Sequence, residues 1–260
     1  MGRAGDAEEP TGARLRRLGA DLHLHTVASP CAEIDMLPPL IVERALDLGL
    51  GLLAVTDHNT ACNAGAVQRA AQGTGLCVWA GLEVQTREEA HVVCLFEDLE
   101  AALDWQARVY AALPPLANRP EVFGAQWMVD HRGDYVRTNE RLLLTSTALA
   151  VEEVVEGVAA LGGVTIAAHV DRPSYSLLAS LGFVPEGLDL AALEVSARGV
   201  RRPPPQARGW PLVSSSDAHR LEEMRVGMFL EVAEPTLAEL RMALGGRGGR
   251  RVLLSPSRTD

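Results

Sequence analysis

Two histidines one residue apart, His23 and His25, stand in the apolar run ADLHLHTVASP from Ala20 to Pro30. On an extended strand the side-chain period of two puts both imidazoles on one face, where two neutral rings side by side can chelate a metal ion. A strand that simply carries two histidines on a polar face looks the same, so the pair gains meaning only from the company of other donors. The chain has five further groups of candidate ligands, nearly all where an apolar run ends. They are Asp57 and His58 after GLLAV, Glu83 in LCVWAGLEV, His91 opening HVVCLF, His169 after VTIAA, and Asp217 with His219 in WPLVSSSDAH. Six of the seven histidines lie in or beside strand-like runs, and only His131 does not. These are more donors than one tetrahedral zinc requires, which points to two or three divalent ions. A bridging carboxylate holds two cations ~3.5–4 Å apart, the arrangement suited to hydrolytic displacement at phosphorus.

The elements that must position these groups read as an alternation of strands and helices. A helix from Pro39 to Leu48 has prolines at its start and Gly49 just past its end, and Asn63 to Gln72 is closed by Gly73. The rhythm breaks after Glu83: only TREEA separates its strand from HVVCLF, too short for a helix. A helix from Leu99 to Leu113 precedes an irregular insertion at about 114–140, long enough to be a lid or binding segment. Helical character returns from Arg141 to Leu161, and short helices are expected at Ser176 to Leu181 and Thr236 to Leu244. GGRGG at Gly245 to Gly249, with no lysine and no following helix, reads as flexible tail rather than a phosphate loop. Six or seven strands mostly alternating with helices favour an α/β barrel with mainly parallel strands. Ligands at the carboxyl ends of such strands sit on the face where barrels build chemistry.

Composition narrows the function classes. The chain has 260 residues, a charge of −10 and no lysine, so every basic residue is an arginine and Schiff-base chemistry is excluded. A broad basic surface for long nucleic acid is not expected; a local arginine pocket for one phosphate is compatible with the charge. Cys31, Cys62, Cys77 and Cys94 form no C-x-x-C pair, and Cys77 and Cys94 lie in apolar runs as small buried hydrophobes. Residues 1–19 are charged and without an apolar core, neither secretory signal nor anchor, and are expected to be a flexible tail before a single barrel domain at 20–260. No stretch reaches the ~18 apolar residues of a membrane span, and a cytoplasmic location is expected.

HxH at His23 and His25, TDHN around His58, GLE at Glu83, a histidine eight residues later at His91, AHVDRP around His169 and SDAH at Asp217 to His219 resemble the PHP (polymerase and histidinol phosphatase) family. The match runs in order from about Ala20 to the end of the chain. The resemblance implies a distorted (β/α)7 barrel with a two- or three-metal site of zinc, manganese or iron and phosphoesterase activity. Carried over by position, one metal takes His23, His25, Glu83 and Asp217, and a second shares Glu83 and takes His91 and His169. A third is held by His58 and His219, with Asp57 orienting an imidazole behind the ligands. Some three-metal members have a histidine six residues after the second histidine of HxH; here that position is Cys31. Its thiolate either binds a borderline ion such as zinc or packs in the loop, and Glu33 and Asp35 offer replacement oxygens.

The reaction expected is hydrolysis of a small phosphate monoester, of the histidinol-phosphatase or nucleotide-phosphatase kind. A hydroxide held by the metals of His23, His25, Glu83, His169 and Asp217 would attack, so no separate nucleophilic side chain is required. Arg172 in HVDRPS and Arg87 in TREEAH are candidates to fork onto the phosphate. Two alternatives stand beside this reading: an exonuclease or phosphodiesterase on short oligonucleotides, and a metal-binding module without catalysis. The expected partner is a small phosphorylated substrate or short nucleotide, with no long nucleic acid and no membrane.

Overall fold

A computed structural model describes residues 14–255. In chain order the strands are β1 (Arg16–Asp21), β2 (Leu50–Val55), β3 (Cys77–Gln85), β4 (His91–Phe96), β5 (Trp127–Val129), β6 (Tyr135–Thr138), β7 (Val164–Ala167), β8 (Ala192–Glu194), β9 (Leu212–Val213), β10 (Met228–Val232) and β11 (Arg251–Leu254). The helices are α1 (Pro38–Asp47), α2 (Ala64–Ala70), α3 (Leu99–Ala112), α4 (Pro120–Phe123), α5 (Val151–Ala160), α6 (Leu177–Leu181), α7 (Ala197–Arg201) and α8 (Leu237–Leu244).

Nine strands form one sheet in the order β11-β10-β1-β2-β3-β4-β7-β8-β9. Pairing is parallel for β1 with β2, β2 with β3, β7 with β8 and β8 with β9, whereas β4 runs antiparallel to both neighbours. The chain beyond β9 returns to the chain beyond β1 through a parallel bridge between Leu24 and Ala218. Seven strands thereby curl into a nearly closed barrel, the expected distorted (β/α)7 arrangement. The antiparallel pair β10 and β11 fills the other side of β1.

Two apolar layers arise from the alternation of strand side chains. One set of strand residues, including Val55, Val78, Leu82, Val84 and Cys94, packs with the buried faces of α1, α2, α3 and α5. The other set, including Leu52, Ala54, Trp79, Val93, Leu95 and Ile166, fills the barrel together with Leu237 and Leu240 of α8. Helix starts are locally encoded: Pro38 occupies the first turn of α1, and the side chains of Asp98, Ser176 and Thr236 cap α3, α6 and α8.

Four boundaries differ from the sequence reading. Of the expected tail, 1–13 lie outside the described residues, but 16–19 belong to β1. Arg16 and Arg17 read as solvated tail because their partners are distant in sequence: Arg16 pairs with Glu234 at 2.9 Å and Arg17 lies 4.0 Å above the Phe229 ring. The insertion at 114–140 is not structureless; it contains α4 and the β5-β6 hairpin, whose second strand is largely exposed and so lacks the alternation that marks a strand. Residues 141–150 are not helical, because their backbone is spent on other segments: Leu143 and Thr145 carbonyls accept from the Asn59 amide at 2.7 and 2.9 Å. Gly245 to Gly249 form a tight turn into β11, with positive φ at Gly246, Gly248 and Gly249.

Candidate metal centre

The barrel positions its donors by continuing its inner face upward. Apolar residues at the bottom of each strand give way, two residues at a time, to ligand types at the top: Trp79, Gly81, Glu83 along β3 and Ala192, Glu194 along β8. Gly81 is required in that series, since a Cβ there would lie 2.5 Å from the Cys94 carbonyl oxygen and 3.0 Å from Thr56. On β4 the order is inverted, Leu95, Val93, His91, and because that strand alone in the barrel runs backwards, its first residue arrives at the same rim as the last residues of the others. His23 and His25 come after β1, His58 comes after β2 and bridges to Glu83, and His169 and Asp217 come after β7 and β9. His169 (φ 29°) and Asp217 (φ 52°) are left-handed, as are Asn59 and Tyr175 nearby, backbone strain gathered where the side chains must be aimed.

All eight expected ligands meet at this rim. His23 Nε2 and His25 Nε2 lie 3.3 Å apart, each within 3.1–3.5 Å of oxygens of Glu83 and Asp217. Glu83 is the hub: its oxygens are 2.8 Å from His58 Nδ1, 2.7 Å from His91 Nδ1 and 3.1 Å from His169 Nε2. Among the described residues, three sets are close enough to hold an ion: His23, His25, Glu83 and Asp217; His58, Glu83 and His91; and His25, His58 and His219. The first matches the expected set. In the second, His58 joins Glu83 and His91 from the Oε2 side, and His169, expected in that set, lies with Nε2 3.1 Å from the same Oε1 that His91 meets.

The proton positions implied by the outer contacts show that the donors fit divalent ions. His23 Nδ1 donates to Glu194 Oε2 at 2.9 Å, which turns Nε2 towards the centre as the nitrogen an ion would take from its proton. Ser29 donates its hydroxyl to Asp57 at 2.7 Å and therefore accepts from His25 Nδ1 at 2.9 Å, which bares His25 Nε2. Two ring nitrogens and two carboxylates thus face one another in a buried space. A tetrahedral ion with bonds of about 2.0–2.1 Å needs ligand atoms roughly 3.3–3.4 Å apart, close to the separations found. His91 Nε2 is buried and makes no hydrogen bond, a costly state that coordination through that nitrogen would relieve.

Comparison with known proteins agrees with the motif reading. The PHP domain family model matches this sequence at 21–104, the stretch that carries His23, His25, His58, Glu83 and His91. Residues 21–104 are a PHP domain match. No curated protein matches the chain. Among solved structures, the fold is similar to the lesion-specific endonuclease PfuEndoQ from Pyrococcus furiosus, with a TM-score of 0.67 and 20% identity over 91% of this chain and 58% of that one. It is similar also to an Endonuclease Q complexed with a 27-mer duplex substrate bearing an abasic lesion at the active site, with a TM-score of 0.63, 19% identity and coverage of 91% and 58%. A protein of Bifidobacterium adolescentis described as a metal-dependent phosphoesterase aligns with a TM-score of 0.52 and 22% identity over 78% of this chain and 88% of that one. This chain spans 58% of the length of the Endonuclease Q chains it matches.

Electrostatics at the ligand rim arise from packing opposite charges out of water. Burial pushes Glu83 upward, but His91, His23 and His58 outweigh it and hold the carboxyl well below its usual range. Asp217 is held well below its range against burial, chiefly by His23 and His25. Burial pulls His58 down, yet Glu83 and then Cys31 push it up to about 10, and His23 is raised likewise by Glu194, Asp217 and Glu83. His25 goes the other way, lowered by burial and by the neighbouring His219 and His58. In the metal-free protein, protons on His23 and His58 therefore stand where cations would balance the carboxylates.

A cavity of about 480 Å³ opens over the ligand rim, walled by His58, Glu83, His91, His169, Asp217 and His219 below and by Phe123, Ser146, Arg172 and Tyr175 around it. Arg172 is where a phosphate contact was expected, 2.6 Å from Asp217 Oδ2 with its side chain 46% exposed. Arg87 is not: it points to solvent beside Glu88 at 3.6 Å, because Thr86 and Ala90 close a tight turn that carries it away from the cavity. Glu33 also faces outward, paired with Arg220, and His131 and Trp127 lie outside the cavity wall. Asp57, expected behind the ligands, accepts from the Ser29 hydroxyl that also meets His25 Nδ1, and from the Thr26 amide at 2.7 Å. Glu194 was missed: it is a lone acid inside the apolar run AALEVS, and its partner His23 is 171 residues away in sequence. Tyr175 was missed as well; its ring stacks on His91 with centroids 5.2 Å apart, a contact that no local pattern announces.

Proposed function

We propose that this protein is a metal-dependent phosphoesterase that hydrolyses a small phosphate monoester. The observation that carries the reading is the convergence of His23, His25, His58, His91, His169 and Asp217 on Glu83 at the floor of a cavity of about 480 Å³, a size suited to a nucleotide or an amino-alcohol phosphate. His23, His25, Glu83 and Asp217 would hold one divalent ion, and Glu83 with His91, His58 and His169 would hold a second. Bound there, such ions supply Lewis-acid polarisation of the phosphoryl group and acidification of water. The chain's own residues do the rest. Arg172 sits on the rim with its guanidinium directed at the centre, and on substrate entry it exchanges part of its contact with Asp217 for the phosphate oxygens. Glu194 and Ser29 engage the Nδ1 atoms of His23 and His25, so the Nε2 atoms are the ones aimed inward. Tyr175 covers one side of His91 and limits water at that edge.

A second reading, cleavage of a phosphodiester in nucleic acid, is favoured by the fold similarity to Endonuclease Q. Against it stand the charge of −10, which offers little attraction to a long duplex, and the incomplete coverage of that larger chain. Phosphate release should be measured with Mn²⁺, Zn²⁺ and Fe²⁺ on an aryl phosphate, histidinol phosphate, mononucleotides, short oligonucleotides and an abasic duplex. Release from a monoester, abolished in a folded Asp217→Ala protein, is the expected result. Cleavage of the duplex or oligonucleotides alone would favour the second reading, and no cleavage of any substrate with any metal would leave a binding module.

A further inference from the structure

A second cavity, of about 580 Å³, opens between α3, the β5-β6 hairpin and the loop that follows β2, and it shares no lining residue with the cavity over the ligand rim. Its polar wall is built to donate. Gln106 Oε1 accepts from the Thr60 hydroxyl at 2.7 Å and from the Ala61 amide at 2.8 Å. A backbone N–H can only donate, so the Gln106 oxygen is fixed there and Nε2, without a hydrogen-bond partner among the described residues, is left for the cavity. Asn139 is locked in the same way: its Oδ1 accepts from the Arg141 amide at 3.2 Å and the Tyr110 hydroxyl at 3.3 Å, which leaves Nδ2. Arg137 lines the same space. Its Nε donates to Met128 Sδ at 3.0 Å, and among the described residues its guanidinium has no carboxylate partner. Glu140, the acid in this wall, is exposed and forms no ion pair with it. The remaining wall is apolar: Ala107, Met128 and Cys62, whose thiol burial pushes up to about 12 and so keeps protonated.

We propose that this cavity is a second ligand site, for a small organic molecule carrying a phosphate or carboxylate group. Arg137 pairs with the oxyanion, Gln106 Nε2 and Asn139 Nδ2 donate to it, and Cys62, Ala107 and Met128 cover the organic body. A nucleobase edge or a sugar alone does not suit such a wall, because both amide oxygens are already spent on the protein. The occupant would rest on segments that also shape the cavity over the ligand rim. Thr60 lies two residues past His58, and Asn139 and Glu140 begin the stretch whose later residues, Leu144 to Ser146, wall that other cavity. Asn59 holds the stretch through the Leu143 and Thr145 carbonyls. This is the placement an effector needs to reach the rim from outside it.

The test titrates the full chain, stripped of metal on a chelating resin, with AMP, citrate and inorganic phosphate in a calorimeter. AMP or citrate is expected to bind at one site per chain. Gln106→Glu keeps an acceptor for Thr60 and Ala61 but presents a carboxylate oxygen where the amide donor stood, so the fold is retained and affinity should fall roughly tenfold or more. Arg137→Ala, at an exposed position, should lower it as much, and Arg172→Ala, over the ligand rim, should leave it unchanged. Binding of AMP alone assigns phosphate as the recognised group, and binding of citrate alone assigns carboxylate. Four results overturn the site: no binding of any probe, affinity unchanged in both Gln106→Glu and Arg137→Ala, affinity lost in Arg172→Ala, or inorganic phosphate binding as tightly as AMP. A measurement free of any variant accompanies the titration. Amide hydrogen exchange with the bound probe should slow in α3 and in the β6 strand but not around Arg172, and the reverse pattern overturns the site. The probes are read on metal-free protein, so their failure leaves the phosphoesterase reading in place, and a protein without turnover leaves this site in place.

Discussion

At the scale of single residues, the side chains that touch no ion decide how the ligands behave. Glu194 is the clearest. Its Oε2 accepts from His23 Nδ1 and from the His169 amide, so one buried carboxylate fixes both the tautomer of one ligand and the backbone that aims another. Glu194→Gln keeps the shape and removes the charge; metal affinity at the His23, His25, Glu83 and Asp217 set is expected to fall 10–100-fold, read by competition with a chromophoric chelator. An unchanged affinity would mean that His23 is held by packing alone. Asp21 gives a second expectation of opposite kind. It is fully buried, its Oδ1 accepts from the Ser216 amide at 2.9 Å, its Oδ2 has no hydrogen-bond partner, and burial raises it from 3.8 to about 6. The folded state thus binds the proton more tightly than the unfolded chain. Its contribution is fully favourable below about 3.8 and is lost as pH rises through about 6. Asp21→Asn is therefore expected to gain up to about 3 kcal/mol over the native protein above pH ~6 and nothing below pH ~4, in urea titrations at the two pH values. Sequence exposed the ligands because imidazoles and carboxylates at strand ends are conspicuous; it hid Asp21 and Glu194 because a lone acid in an apolar strand is meaningful only once its partner is known.

At the scale of elements, the reversed strand β4 explains most of what the chain hid. HVVCLF was legible as a strand and TREEA as too short for a helix, yet the consequence, that His91 reaches the ligand rim from the start of its strand, needs the antiparallel pairing with β3 and β7. The helices were legible from proline, glycine and capping signals, and their packing was not. Helix α5 lies on α3 through Gly157, where an added Cβ would fall on the Trp105 ring. Gly157→Ala would gain about 1 kcal/mol of helix propensity, but displacing a buried tryptophan costs roughly 1–3 kcal/mol. A net loss of stability in denaturant is expected, with the number of bound metal ions unchanged. A more stable variant would show that α3 and α5 yield easily. The β5-β6 hairpin escaped detection for the opposite reason: Tyr135 and Val136 are 63% and 58% exposed, so no buried face imposes a period.

At the scale of the whole molecule, the rim that gathers the ligands is also where the barrel closes. The Leu24–Ala218 bridge, the Asp217 amide donating to the His23 carbonyl at 2.9 Å and the His25 amide donating to the Ala218 carbonyl at 3.0 Å join the first and last barrel strands, and each lies beside a ligand. Ions bound across His23, His25, Glu83 and Asp217 would tie this seam together, so chelation should cost stability as well as activity. An ion at 100 times its dissociation constant adds about 2.7 kcal/mol per site, and for a chain of this size that corresponds to roughly 5–10 °C in melting temperature. The gap between loaded and chelated protein should also depend on pH, with a definite sign. His58, pushed up to about 10, and His23, also raised, hold protons at neutral pH in the metal-free state, and those protons must leave when ions bind. Raising the pH from 7 towards 9 removes part of that competition, so the gap should widen. Scanning calorimetry with and without chelator at the two pH values measures it; equal melting temperatures, or a gap that narrows as pH rises, would show that the imidazoles meet at the seam without holding ions across it.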